Sequence, residues 1–314
     1  MDEAAAARRM WVLFEPVHVV SYFTPEARAA FEAAGLRGFW RGYFAGRAAP
    51  VGSTGAAPVI AAFFVFAPAM VSRAIPAVWE LAAPQAALLA RQAGAVAAIR
   101  RLLGLRADDA PAWLRAAADD LMAAASGLDQ AGRTLAAANI ALPVPQEPVA
   151  RLWHAATLLR EHRGDGHVAA LVAADIDGAE ALALRVGVDT AGGRAAAADG
   201  HQGSGQVAAA WGRARMQPAR GWTDAEWDGA VARLAGRGLL DDSGSATAAG
   251  LALHRHIERA TDQAAARPWA RLGADRAASL AAQLRPIARA CAGAMPFPNP
   301  VGVPPPSAES EPAA

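Results

Sequence analysis

The sequence predicts a mainly α-helical protein, and three observations predict it. Of its 314 residues, 88 are alanine, the strongest helix former, and valine and isoleucine do not dominate. Apolar residues recur at helical spacing, as at Trp227, Val231 and Leu234. Hydrophobic residues make up 54% and charged residues 19%, which excludes an intrinsically disordered chain and supplies a sizeable core. The expected architecture is two tandem helical winged-helix-like modules with a small β-wing.

The first module is expected over 8–105, from helices near 4–20, 24–46, 58–80 and 84–104. The uncharged stretch 48–72 includes the apolar run 59–66. Pro58 suits a first helical turn and Pro68 follows ten residues later. That is too short for a membrane span, which needs about 20 apolar residues, so the run reads as a buried core helix. Asp2, Glu3 and Glu15, which cuts the run 11–14, make a poor secretory signal. A cytoplasmic protein with no membrane partner is expected.

The second module is expected over 112–262, from helices near 112–126, 146–163 and 167–186 and a winged helix-turn-helix over 207–262. The glycine-rich stretch 188–206 reads as a loop. Its Ala191-Gly192-Gly193 and Gly203-Ser204-Gly205 lack the Lys-Ser/Thr of a phosphate-binding loop. Helices over 263–294 and a proline-rich disordered tail over 295–314 complete the chain. A weak internal repeat pairs Phe39-Trp40 with Leu152-Trp153, and 61–65 with 169–173. The seam between the two copies is a natural place for a pocket.

Residues 207–262 carry the clearest pattern. A short helix and the Gly221-Trp222 turn lead to Thr223, which with Glu226 makes a capping box for the next helix. Then come the string RGLL, the turn Asp241-Asp242-Ser243-Gly244-Ser245 and a helix from Ala248. This order looks like the MarR-type arrangement, in which the helix before RGLL lies in the major groove. Charge argues against that use. Seven arginines over 207–262 meet seven acids, and the reading helix opens with Asp224, Glu226 and Asp228. Phosphate contacts need cations, so DNA is a disfavoured partner; the residues such binding would use are Arg213, Arg215, Arg220 and Arg233.

Every basic side chain among Lys and Arg is arginine, which removes lysine Schiff-base chemistry. The single cysteine, Cys291, permits no intramolecular disulfide and no multi-cysteine metal site. No cofactor and no metal are expected. Candidate acid–base residues are His154, Glu161, His162 and His167. On one helix His154 and Glu161 fall about 20° from exact register after two turns, and His167 opens the next helix behind Arg163-Gly164-Asp165-Gly166. Their spacing matches no defined catalytic signature. Phe39, Trp40, Tyr43, Phe44, Phe63, Phe64 and Phe66 form a dense aromatic set, with Arg41 and Arg47 as anchors for an acidic ligand group. The candidate ligand residues are His18, Trp40, Arg41, Tyr43, Phe63 and His154.

The strings GFWRGYFAGRAAPVG (38–52), APVIAAFFVFAPAMV (57–71), LWHAATLLREHRGDGHVAALVAADIDGAEAL (152–182), RGWTDAEWDGAVARLAGRGLL (220–240) and IERATD (257–262) resemble the actinobacterial SalK-like helix-turn-helix family. The family is named after a protein of a polyether biosynthetic cluster, and the resemblance covers most of 8–290. It implies a mostly helical fold with winged-helix topology and an actinobacterial source, but no reaction, because fold does not give function. The resulting expectation is a small-molecule-binding protein of specialised metabolism. The alternatives are a MarR-like transcriptional regulator and an enzyme using the His/Glu set.

Overall fold

Caps, prolines and glycines set the helix boundaries. The computed structural model describes residues 3–106, 109–198 and 212–295, with nothing said of the side chains of 194–198. Helix α1 (Glu3–Phe23) ends at Thr24, whose hydroxyl caps α2 (Pro25–Ala33) by accepting from the Ala27 N–H at 3.3 Å. Four short helices follow, α3 (Phe39–Ala48), α4 (Ala56–Ala62), α5 (Pro68–Ala74) and α6 (Val78–Leu81), then the longer α7 (Pro84–Leu102). Next come α8 (Ala112–Ala125), α9 (Thr134–Ile140) and the 26-residue α10 (Pro148–Ala173), which the Glu147 carboxylate caps through the Val149 and Ala150 N–H groups. The remainder is α11 (Gly178–Ala198), α12 (Arg213–Arg220), α13 (Asp224–Gly236), α14 (Ala248–Ala264), α15 (Arg267–Leu272) and α16 (Ala274–Ala292).

The mainly α expectation holds, but several details are corrected. Among the described residues there is no strand, and the expected β-wing reduces to one antiparallel bridge between Leu240 and Ala246. The Asp241 carboxylate takes the N–H groups of Ser243 and Ser245, and Gly244 sits at φ 74°, so the turn closes before a ladder can extend. The expected helix 24–46 breaks where Gly35 and Gly38 take positive φ. The 58–80 helix divides into α4, α5 and α6, with the aromatics 63–66 in the turn between α4 and α5. The expected break at 163–166 is absent, because α10 runs through it. Gly166 there serves close packing: a Cβ would lie 2.9 Å from an Arg133 nitrogen and 3.1 Å from Ala264 Cβ. Asp165, within this unbroken stretch, accepts from the Ala136 N–H of α9 at 2.8 Å. Gly192 and Gly193 are helical, within α11; 203–205 and the tail from 296 lie outside the described residues. The two repeat copies do not fold alike, since Phe39-Trp40 opens α3 whereas Leu152-Trp153 lies within α10.

Three apolar cores organise the helices. The first joins α1, α7, α8, α10, α15 and α16 around Phe14, Trp153, Leu121 and Leu284. The second packs Phe31, Phe44, Phe63, Phe66 and Ile75 of the segment from α2 to α7. The third joins 213–257 to α10 and α11, where Leu171, Leu182, Trp227, Leu234, Leu240 and Ile257 meet. The α12–α13 turn then docks on residues 63–70. Trp222 Nε1–H donates to the Val65 carbonyl at 3.0 Å, and the Ala67 N–H donates to the Arg220 carbonyl at 2.9 Å. Gly221 (φ 76°) lies so close that a Cβ would fall 2.6 Å from Met70 Cβ, and a Cβ on Gly178 would fall 2.1 Å from the Phe64 carbonyl oxygen.

Candidate functional site

Polar side chains do not enter a helical core without partners, because burial without compensation is costly. Here they enter in a set. On α1, Trp11, Glu15, His18 and Tyr22 recur at intervals of three or four and so share one face. Thr157 and Glu161 stand four apart on α10, with Arg160 beside them, and Tyr43 and Arg47 stand four apart on α3. These three faces converge.

The His18 ring is 1% exposed and held at both nitrogens. Nδ1 lies 3.0 Å from the Thr157 hydroxyl and Nε2 lies 2.8 Å from the Tyr22 hydroxyl. The Thr157 proton goes to the Trp153 carbonyl at 2.9 Å, so Nδ1 is the donor and Nε2 accepts from Tyr22. Burial, and then the charge of Arg160, hold the His18 pKa well below its ordinary value, in keeping with this neutral tautomer. Tyr22 and Tyr43 lie with ring centroids 4.9 Å apart, and Arg47 donates to the Tyr43 hydroxyl at 3.3 Å.

Glu161 is the electrostatic centre. Arg160 donates to it at 2.8 Å, and Arg47 reaches both its oxygens at 3.4 Å. Burial alone would raise its pKa, but the charges of Arg160 and Arg47 overcome that and hold it at about 2. Glu15 accepts from Arg160 at 3.3 Å and from the Trp11 indole at 3.1 Å. For Glu15 burial outweighs Arg160, and its pKa is raised. The Arg47 guanidinium also lies 4.4 Å from the centre of the Phe63 ring, beside an aromatic wall formed by Phe44, Phe66 and Trp40.

Of the expected ligand residues, His18, Tyr43 and Phe63 belong to this site, and Trp40 packs on Tyr43 at 5.7 Å. Arg41 does not; it is exposed and bonds the Arg37 carbonyl. His154 lies elsewhere, buried beside Arg91 and Arg151 with Nε2 lacking a partner, and burial with those charges lowers its pKa to about 4. The expected acid–base set is therefore dispersed. Glu161 sits with Arg47 and Arg160, His162 pairs with Asp129 at 2.9 Å, and His167 bonds Thr261 at 2.9 Å. With α10 unbroken, His167 stands in mid-helix and not in a first turn. Glu15, Tyr22, Thr157, Arg160 and Arg91 escaped the sequence reading. The one signal for the first two was their i, i+3/i+4 spacing around His18 on a stripe otherwise apolar. Among the described residues no group of three His, Cys, Asp or Glu is placed to hold a metal ion. No helix there is long and apolar enough to cross a membrane.

The helix pair α12–α13 has the expected geometry. Gly221 ends α12 in the left-handed conformation, and the Thr223–Glu226 capping box starts α13. Three of its cations are engaged within the molecule. Arg213 bonds Asp224 at 2.9 Å and also Asp228. Arg233 bonds Glu180 at 2.8 Å and Asp177 at 2.5 Å. Arg220 is buried over the Phe66 ring at 4.8 Å, and Arg215 is exposed. Residues 7–298 match the model of a helix-turn-helix family. The chain belongs to that helix-turn-helix family. No curated protein and no solved structure matches this helix-turn-helix chain.

Proposed function

We propose that this helix-turn-helix protein is a cytoplasmic small-molecule-binding protein, and that its ligand site is the polar cluster where α1, α3 and α10 meet. The observation that carries this reading is the convergence of His18, Tyr22, Tyr43, Arg47 and Glu161 beside an aromatic wall. The resemblance of 38–52 and 159–171 to SalK-like sequences supports a role in actinobacterial specialised metabolism. Native mass spectrometry and ultraviolet–visible spectra of the purified full chain test the reading. A co-purifying small molecule that is lost in Tyr43→Phe supports it. A protein that carries none, and that no metabolite extract stabilises, overturns it.

A second reading, a MarR-like transcriptional regulator, is favoured by the capped turn between α12 and α13 and by family membership. The pairing of Arg213 and Arg233 with acids speaks against phosphate contact through α13. In a mobility-shift assay at low salt the expected outcome is weak, sequence-independent retention of DNA. Tight, sequence-selective binding would establish the regulator in its place.

A further inference from the structure

The Arg47–Glu161 pair is loose. Both of its contacts are 3.4 Å, whereas charge-assisted N–H···O bonds run about 2.7–2.9 Å and Arg160 holds the same carboxylate at 2.8 Å. Arg47 therefore has donor capacity that Glu161 does not use. Tyr43 accepts from Arg47, and its own hydroxyl proton has no acceptor among the described residues.

The surrounding charge is also unbalanced. Arg47, Arg160, Arg91 and Arg220 stand in this interior against Glu15, Glu161 and Asp165. Arg91 is 4% exposed and bonds only neutral oxygens, the Gly46 carbonyl and Asn139 Oδ1, both at 3.1 Å, while its Nε has no partner. A single negative charge would complete the set.

A way in exists on the same side. A cavity of about 20 Å³, the size of one water, is lined by Tyr22, Tyr43, Phe31, Leu36 and Phe39, with Arg28 as its one cation. Its outer wall is Phe39, which is 37% exposed at the first position of α3. Gly38, just before it, sits at φ 87° with open space around it. Tyr22 and Tyr43, which line it, are the residues of the cluster that it reaches.

We infer that the ligand is a small carboxylic acid with a flat apolar body, which passes Phe39, lies between Phe31, Leu36 and the two tyrosines, and sets its carboxylate on Arg47 and Tyr43. This rests on the reading of the cluster as a ligand site and names the ligand's chemical class.

Benzoate and its neutral analogue benzyl alcohol are the probes, titrated into the full-length protein by calorimetry and thermal shift. The expected result is saturable benzoate binding, with benzyl alcohol binding at least about tenfold more weakly. Arg47→Met weakens benzoate by about tenfold or more, and Tyr43→Phe weakens it several-fold. Tyr43→Phe keeps the ring and is the informative variant if Arg47→Met does not fold. Phe39→Ala, which removes the outer wall of the cavity, speeds benzoate association, and an unchanged association rate overturns this route of entry. Equal binding of benzyl alcohol, benzoate binding indifferent to both cluster variants, or no benzoate binding at all overturns the acid assignment. A neutral co-purifying molecule sensitive to Tyr43→Phe would sink the acid class alone and leave the ligand site standing. Absence of any bound or stabilising molecule would remove both.

Discussion

At the scale of single residues, Glu161 decides whether the interior charges are tolerable. It is 1% exposed and is the carboxylate that Arg47 and Arg160 share. Removing one partner of a buried pair strands the other charge, at about 3–5 kcal/mol. Glu161→Gln is therefore expected to lower unfolding stability by about 3 kcal/mol at pH 7, read by chemical denaturation. The pH window follows from the shift. The folded-state pKa, about 2, lies below the ordinary 4.5. The contribution is thus complete above the unfolded value and is lost as pH falls through the folded value. Wild type and Glu161→Gln should converge in stability between those two points; a gap that stays constant down to pH 2 would contradict the assignment. Little of this was legible beforehand. Glu161 was singled out by its register with His154, yet the structure gives it to Arg47 and Arg160, because α10 turns its faces toward different neighbours.

At the scale of elements, the instructive segment is 63–70. The sequence predicts one helix from Pro58 through the uncharged run containing it, and the structure breaks that helix after Ala62 and uses the turn as a strap under the helix-turn-helix. Two glycines make the docking possible by leaving no side chain where backbone must approach, Gly178 against the Phe64 carbonyl and Gly221 against Met70. Gly178→Ala is expected to push the strap away, because a Cβ 2.1 Å from a carbonyl oxygen cannot be accommodated without a backbone shift. Hydrogen exchange should rise in 63–70 and 213–236 before it rises in α16. Trp222→Phe, which loses the bond to Val65, should cost about 1 kcal/mol and loosen the same peptides. Exchange that rises uniformly across the chain would show that the strap is not a separate docking unit. Glycine in the sequence signals a need for space or for positive φ, but not which. In 163–166 glycine predicts a helix stop, whereas Gly166 serves a packing contact within an unbroken α10.

At the scale of the whole molecule, Cys291 reports on cooperativity. It is fully buried in the core formed by α1, α8, α10 and α16, and burial raises its thiol pKa to about 12. Native protein should resist an aromatic disulfide reagent at pH 8, and the labelling rate should rise with denaturant in parallel with loss of helical circular dichroism. Labelling well below that transition would mean that α16 opens on its own. The same scale settles how the family assignment is to be used. A match over 7–298 establishes a helix-turn-helix chain, while Arg213 of α12 and Arg233 of α13 are already bound to acids on α11, on α13 and in the turn before α11.

Composition and local pattern alone determined the helical class, the cap at Thr223, the turn at Gly221 and the balance of charge over 207–262. These depend on residues within one or two turns of each other, where propensity and hydrogen bonding act locally. The wing, the unbroken α10, the strap and the cluster around Glu161 were decided only in three dimensions. Each depends on contacts between residues far apart in the chain, such as Glu161 with Arg47 or Trp222 with Val65. In so alanine-rich a chain, nothing in the one-dimensional pattern distinguishes the face that meets a partner from the face that meets solvent.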